Sequence, residues 1–397
     1  MLPTAVVPVA VGPVSAAFAA VERIAVLRGG GLGDLFFALP AIAALAHTYP
    51  QASITLLGTP IHAALLRDRP GPVDEVVVLP YAEGVRPRPA TQEHDDADEI
   101  ARFHERMRAR SFDLAVQVHG GGRHSNGFLL ELGARHTIGT ATSDAPALER
   151  IVPYHYYQHE VLRALEVVGT AGATTATVAP ALEVTERDRA EAREAAAAVG
   201  ADPAAPWLVV HPGATDERRK WPTSSFARVV RQAADDGFEV FLVGDGTEVD
   251  LAREIRALAG AVAPAAGATD TAGASVNRIH VLAGVLGLGG LAGLLESCTV
   301  MLGNDSGPRH LAQAVGAATV GVYWIGNLVM AAPLERSRHR VHVGWVTRCP
   351  QCGIEVTQVG WTAPRCEHVF PLTAEVAPDD VYADVQDLAR LAAARPA

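Results

Sequence analysis

Short apolar runs alternate along this chain with stretches of helical period, and most of the runs end in a glycine-rich or polar turn. Ile24-Ala25-Val26-Leu27 is continuously apolar, as a parallel strand buried on both faces would be. Arg28-Gly29-Gly30-Gly31-Leu32-Gly33-Asp34 follows as a turn. Leu35, Leu39, Ile42 and Leu45 then recur at helical spacing, with Pro40 bending that helix or delaying its start. Ser53 to Leu57 completes a βαβ unit, and Val76 to Leu79 adds a strand. Phe112 to Val118 is another, ending in His119-Gly120-Gly121-Gly122-Arg123-His124-Ser125-Asn126. After Gly169 the chain turns to Ala, Thr and Pro as far as Pro180, and a domain boundary is placed there.

Thr185 to Asp188 opens a helix as a capping box, with Asp for the usual Glu. The alternation then resumes. Strands are predicted at Trp207 to Val210, Phe238 to Val243, Arg278 to Val281 and Cys298 to Leu302, and helices from Ser224, over Leu291 to Leu295 and from Leu311. Asp379 to Leu391 closes as an amphipathic helix. The fold class is α/β: two Rossmann-like, doubly wound domains over residues 23–180 and 181–397. Residues 1–22 read as a flexible extension. Ala17-Phe18-Ala19 resembles a signal cleavage site, but no Lys or Arg precedes the apolar run and Pro3, Pro8 and Pro13 interrupt it.

Composition narrows the class. The 397 residues are 49% hydrophobic and 19% charged, a globular balance with a substantial core. A net charge of -11 argues against nucleic acid as a partner. Four Cys are too few for a disulfide framework at this length, which points to a reducing, cytoplasmic setting. No uninterrupted apolar segment reaches the ~18 residues of a membrane span. Asp96-Ala97-Asp98 has the D-x-D spacing of metal-dependent sugar transferases, but it sits in a charge run and reads as a solvated face.

The chemistry gathers at the turns. Gly303-Asn304-Asp305-Ser306-Gly307-Pro308-Arg309-His310 leads from a strand into a helix, with Asp305 or Ser306 as cap and Pro308 in the first turn. Backbone N–H groups at the positive end of a helix dipole make an anion site, although an ordinary capped helix has the same pattern. The dinucleotide fingerprint G-x-G-x-x-G fits Gly29 and Gly31 but meets Asp34 at its third position, and the second strand ends at Gly58 where a ribose-binding acid is expected. Both failures count against NAD. Asp34, at the carboxyl end of a strand, reads as a chemical group or as a helix cap. His119, Arg123 and Asn126 are candidate substrate contacts, with turn chemistry as the other reading.

Four stretches together resemble the glycosyltransferase family that contains the ADP-heptose–lipopolysaccharide heptosyltransferases. They are Arg23 to Pro40, Asp113 to Ser125, His211-Pro212-Gly213 with Lys220-Trp221-Pro222, and Asp305 to Ala312. The resemblance implies a GT-B fold, two Rossmann-like domains facing across a cleft. It implies an inverting, metal-independent transferase that needs no cofactor beyond its nucleotide-sugar co-substrate. The donor is then a nucleoside-diphosphate sugar, ADP-linked, and the acceptor a glycan or small molecule, with peripheral contact if the acceptor is lipid-linked. Asp34 matches the family's general base. His211, Gly213, Thr215, Lys220, Asp305, Ser306, Gly307 and His310 fall on the donor side, and the glycine loop with His119, Arg123 and Asn126 on the acceptor side. Asp305 would repel phosphate and suits a capping or hydroxyl-binding role. His310 contacts phosphate, orients Asp305, or is a core histidine. Arg309 and Tyr323-Trp324 depart from the family pattern.

Two other classes share these features: a nucleotide-sugar enzyme of another reaction, such as an epimerase, and an inactive nucleotide-sugar-binding protein. The first needs further acid/base residues at the donor sugar. Retention of Asp34 and Lys220 speaks against the second. Cys349-x-x-Cys352 with Cys366-x-His368 has ligand types for a structural zinc site, and reduced cysteines or a labile disulfide are the alternatives.

Overall fold

The structure is a computed structural model that describes residues 10–89, 91, 94–262, 275–358, 364 and 366–394. The chain divides into two compact units, Met1–Glu183 and Val184–Ala397.

The first unit runs β1 (Arg23–Leu27), α1 (Leu32–Thr48), β2 (Ser53–Gly58), α2 (Pro60–Leu66), β3 (Glu75–Val78), α3 (Ala97–Arg108), β4 (Leu114–Gln117), α4 (Ser125–Leu130), β5 (His136–Ala141), β6 (Arg150–Pro153) and α5 (Glu160–Gly169). Its strands pair in parallel in the order β3-β2-β1-β4-β5-β6. Ala25, Leu27, Leu57 and Ala115 from the sheet pack with Phe103, Met107, Phe128 and Leu129 from the helices. Helix α1 starts at Leu32 and runs through Pro40, so the proline does not delay it. Asp96 caps α3 by accepting the Glu99 N–H at 2.9 Å and Asp98 lies in its first turn, so the D-x-D is helix-capping chemistry.

Residues 1–9 of the extension lie outside the described residues. The rest is docked rather than loose. Phe18 is buried, stacks on His136 at 4.0 Å and lies under the Arg150 guanidinium at 3.8 Å. The Phe18 N–H donates to the Tyr49 hydroxyl and the Ser15 N–H to the Gly169 carbonyl. One aromatic side chain at the end of the apolar run supplies this anchor.

The second unit runs α6 (Glu186–Ala198), β7 (Trp207–His211), α7 (Thr223–Asp235), β8 (Glu239–Leu242), α8 (Val249–Ala261), β9 (Ile279–Val281), α9 (Leu288–Ser297), β10 (Val300–Asn304), α10 (Gly307–Ala314), β11 (Thr319–Trp324), α11 (Ile325–Ala331), β12 (His339–Gly344) and α12 (Pro378–Ala393). Its parallel order is β12-β11-β10-β7-β8-β9, the same winding as the first unit. Strands adjoin in space where they jump in sequence at β1/β4 and at β7/β10. Loops at the carboxyl ends of such switch strands are where α/β sheets bind ligands. Val381, Tyr382, Val385 and Leu388 of α12 join the core formed by β7, β8, β10 and α7. The Thr185/Asp188 capping box forms as the sequence predicts. No helix among the described residues is long and apolar enough to cross a membrane.

Helices α6 and α9 approach closely because Gly290 and Gly293 face α6. A Cβ on Gly293 would come within 2.4 Å of the Asp188 backbone oxygen. Gly293→Ala gains helix propensity but forces two backbones apart. It is expected to destabilise the second unit by about 1–3 kcal/mol, read as a lower Tm; an unchanged or higher Tm refutes the close contact.

Candidate active site

Two sites are built at the two switch points, and each is described within its own unit. In the first, β1 ends at Leu27 and the chain turns through Gly29-Gly30-Gly31 into α1. Gly30 has φ +87°, and a Cβ there would meet the Asp34 carboxylate at 2.3 Å, so glycine is required for both reasons. The loop is pinned from β2: Thr59 Oγ1 donates to the Gly30 carbonyl at 3.2 Å and His62 Nε2 lies 2.9 Å from the Gly31 carbonyl. Burial holds His62 below the usual imidazole range. Its Nδ1 accepts the Thr59 N–H, which leaves Nε2–H as the donor.

Asp34 projects from the first turn of α1. Its Oδ2 accepts the Gly31 N–H at 2.8 Å, and its Oδ1 faces Arg28 Nη2 at 2.6 Å. Arg28, which sequence reasoning passed over as the first residue of a loop, is 4% exposed in its side chain and bridges Asp34 to Glu160 at 3.1 Å. The Asp34 side chain stays 39% exposed. Burial alone would raise its pKa, but the Arg28 charge and the Gly31 N–H outweigh it and hold the carboxyl below its ordinary range. Asp34 is therefore ionised, oriented and open on one side.

His119 packs on Gly29, whose Cβ would lie 3.1 Å from His119 Cε1. Burial first, and then the Arg28 charge, push it down to about 4. A neutral imidazole thus stands near an ionised carboxylate. The other candidates of this unit are placed differently. Asn126 is fully buried and donates to the Thr140 and Pro146 carbonyls, which fixes the loop. Arg123 is exposed, 3.6 Å from Asp144. Gly31 is the N-cap residue of α1 and Gly33 lies in its first turn.

In the second unit the loops after β7, β8 and β10 converge. Trp221 is a core anchor: its indole N–H donates to the Val376 carbonyl and its backbone N–H to Asn304 Oδ1. This places Lys220 and Arg219 on a fixed turn. Lys220 Nζ lies 2.6 Å from Glu217 Oε1, and Arg219 lies 3.6 Å from Asp305. Thr215 is exposed on the same loop. Ser306 is the N-cap residue of α10, but neither its side chain nor that of Asp305 caps the helix. The Ser306 hydroxyl lies 2.9 Å from His211 Nδ1 instead. His211 Nε2 lies 3.2 Å from Glu248, a residue brought from the loop after β8 that no sequence signal marked. Gly213 leaves room for that carboxylate.

Asp305 is buried. Its Oδ1 faces His310 Nε2 at 3.2 Å, and its Oδ2 accepts from Asn327 at 2.7 Å. The capping role expected for it is therefore not what the side chain does, and His310 orients it. Burial would raise the Asp305 carboxyl. The His310 hydrogen bond and the charges of His310, Arg309 and Arg219 overcome this and hold it far below its ordinary range.

Cys349, Cys352, Cys366 and His368 place their ligand atoms within 4.8 Å of one another. Cys352 and Cys366 sulfurs are 3.5 Å apart, and His368 Nδ1 lies 3.6 Å from Cys349 and 3.5 Å from Cys366. Four ligands at about 2.3 Å from one ion stand about 3.8 Å apart, so the group has the dimensions of a tetrahedral site. Trp324, Val356 and Leu372 pack around it.

Two doubly wound units with the same strand order, each with polar loops gathered at its switch point, form the architecture of GT-B type. The chain belongs to glycosyltransferase family 9, the heptosyltransferase family, whose profile matches residues 100–352. Its structure is similar to that of E. coli ADP-heptose LPS heptosyltransferase II, with a TM-score of 0.69 and 19% identity over 94% of this chain and 100% of that one. E. coli heptosyltransferase WaaC with ADP gives 0.61 and 17% over 92% and 100%. The iron-containing dodecameric glycosyltransferase TibC of enterotoxigenic E. coli gives 0.54 and 12% over 96% and 82%. No curated protein matches the sequence.

Asp305→Ala leaves buried Arg309 and His310 without their carboxylate, a loss on the order of 3–5 kcal/mol. The folded-state pKa is depressed, so the contribution is full above the unfolded value of about 4 and is lost as pH falls below it. The Tm of the variant is expected well below that of the wild type at pH 7, with the gap narrowing below about pH 4. A gap that is absent at pH 7, or constant with pH, overturns this account.

Proposed function

We propose that this glycosyltransferase is inverting and metal-independent, and that it moves a heptose or related sugar from an ADP-linked donor to a hydroxyl of a glycan or small-molecule acceptor. The observation that carries the reading is the pair of sites: an ionised, oriented carboxylate in the first unit, and an uncapped helix N-terminus beside Lys220 and Arg219 in the second. Asp34 takes the proton of the acceptor hydroxyl as its oxygen bonds to the anomeric carbon from the face opposite the diphosphate. The bond from that carbon to the diphosphate breaks, and its electron pair stays on the phosphate oxygen. Inversion follows from the single displacement. A positioned base contributes roughly 10²–10⁴-fold. Lys220, Arg219 and the N-terminus of α10 meet the charge on the leaving group. His119, neutral beside Asp34, is suited to orient the acceptor hydroxyl. A lipid-linked acceptor would bring the first unit to a membrane surface.

The titration that tests this uses ADP, UDP, GDP and dTDP, without and with Mg²⁺. ADP is expected to bind without metal. Lys220→Ala removes a charge-assisted bond of about 1.5–3 kcal/mol and weakens binding roughly 10- to 150-fold. Asp34→Ala keeps binding and loses transfer by the factor above. No nucleotide binding, or a product with retained anomeric configuration, overturns the reading.

The Cys349, Cys352, Cys366 and His368 cluster is proposed to hold one structural zinc ion. Three thiolates and an imidazole are a common zinc donor set, and their distances fit one. Bound there, the ion would cross-link the segment after β12 to the loop before α12, with no part in the transfer. Elemental analysis of the purified protein is expected to give about one zinc per chain, and chelation to lower Tm. Cys349→Ala should lose the metal, while Cys298→Ala, whose thiol is buried apart from the cluster and pushed up to about 12, should keep it. Metal-free protein with a Cys352–Cys366 disulfide sinks the proposal; a different metal in the same stoichiometry corrects its identity.

A further inference from the structure

Three side chains at the second switch point form a line whose purpose the transfer reaction does not explain. His211 is the last residue of β7, Glu248 follows β8, and Ser306 follows β10, so the line crosses the ends of three neighbouring strands. Glu248 Oε2 lies 3.2 Å from His211 Nε2, and His211 Nδ1 lies 2.9 Å from Ser306 Oγ. The His211 side chain is 6% exposed and that of Glu248 20%. The line is built rather than incidental. A Cβ on Gly213 would stand 1.6 Å from Glu248 Oε1 and one on Gly244 2.7 Å from Oε2, so two glycines make the space for this carboxylate. The Asp245 N–H donates to Glu248 at 3.0 Å and fixes it further.

The protonation of His211 decides which way the serine hydroxyl points. With a neutral ring, Glu248 accepts the Nε2–H and Nδ1 is a bare acceptor. The Ser306 hydrogen then turns inward to Nδ1, and only oxygen lone pairs face outward. With a protonated ring, both nitrogens donate. Ser306 Oγ accepts from Nδ1–H, and its own hydrogen is free to donate outward. An anion at the N-terminus of α10 is repelled by the first arrangement and bound by the second.

We propose that the nucleoside diphosphate is gripped through a proton: its binding is coupled to uptake of one proton by His211, which turns the Ser306 hydroxyl onto the phosphate. This rests on the donor-site reading above. Glu248 anchors the imidazolium. Burial would raise the Glu248 carboxyl, but its hydrogen bonds from His211 and the Asp245 N–H hold it below its ordinary range. The other charged groups near the line are Lys220, which acts on Glu248 from the turn before α7, and Asp305, which is already engaged by His310, Asn327, Arg309 and Arg219. Glu217 is paired with Lys220. The charge that binding adds beside His211 is therefore that of the diphosphate itself. Release of the diphosphate returns the proton, so the grip loosens with each turnover. In this role Glu248 and His211 are positioning residues, and Ser306 is the group that touches the ligand.

The test is calorimetric titration of the full chain with ADP near pH 7.5, in buffers of different ionisation heat, for wild type, His211→Gln and Ser306→Ala. The buffer dependence reports protons taken up per ADP bound. Wild type is expected to take up close to one more proton than His211→Gln, and its affinity to fall towards tenfold per pH unit on the alkaline side while that of His211→Gln stays flat. Ser306→Ala is expected to bind several-fold more weakly and to take up a smaller fraction of a proton than wild type. Wild type and His211→Gln with equal proton uptake overturn the proposal while leaving the donor site standing. Absence of ADP binding in wild type overturns both.

Discussion

A single buried amide holds the second site in place. Asn304, the last residue of β10, is fully buried. Its Oδ1 accepts the Trp221 N–H at 3.0 Å, and its Nδ2 donates to the Pro212 carbonyl at 2.7 Å. Both sides of the amide are satisfied, so the loop after β7 cannot move without stranding a polar group away from water. The first unit uses the same device at the equivalent place. Gln117, the last residue of β4, is also fully buried, donates to the His119 carbonyl at 2.7 Å and accepts from the Thr140 hydroxyl at 3.1 Å. In each unit the strand beyond the switch point ends in a carboxamide that fastens the neighbouring loops. Rigid loops at that edge are what allow the side chains beyond them to be placed.

With the loops fixed, the two sites are electrostatic opposites. In the first, the cation is behind: Arg28 is sunk under an open Asp34. In the second, the anion is behind: Asp305 is 4% exposed while Arg219 in front of it is 27% exposed. A buried counter-charge orients the exposed group and keeps it ionised, at the cost of desolvating itself. In the proposed reaction the first arrangement would present negative charge to a hydroxyl that must lose a proton, and the second positive charge to a diphosphate. One winding of the chain serves both because only the identity of the turn residues differs.

How far this could be read from the chain depends on how local each feature is. The strand–turn–helix pieces that carry the sites were legible, because an apolar run, a glycine turn and a helical period are all local. So was the placement of Asp34, Lys220 and the Ser306 turn in loops and first turns that follow strands. Strands β5, β6, β11 and β12 were not, since His136 to Ala141 and His339 to Gly344 mix polar and small residues in no clean period. Glu160 and Glu248 were invisible for a different reason. Each reaches its partner across more than thirty positions, Arg28 and His211 respectively, and only the parallel sheet brings them together. Asn126 shows why a polar residue in a glycine loop is ambiguous: its amide nitrogen donates to the Thr140 and Pro146 carbonyls, contacts that no local pattern reveals. Phe18 escaped notice because a proline-broken apolar run carries no sign that one of its aromatic side chains is buried.

Arg309 and Tyr323, from α10 and β11, meet beneath the second site. Arg309 is fully buried with its guanidinium 4.7 Å from the centre of the Tyr323 ring, and both lie against Gly321, where a Cβ would meet Tyr323 at 2.6 Å and Arg309 at 3.1 Å. The three positions therefore constrain the order in which they can mutate. A side chain at 321 would require the tyrosine and the arginine to shift, and loss of either one leaves a void against the other. Substitutions at these three positions are therefore coupled by packing beneath the site, independently of what the site binds.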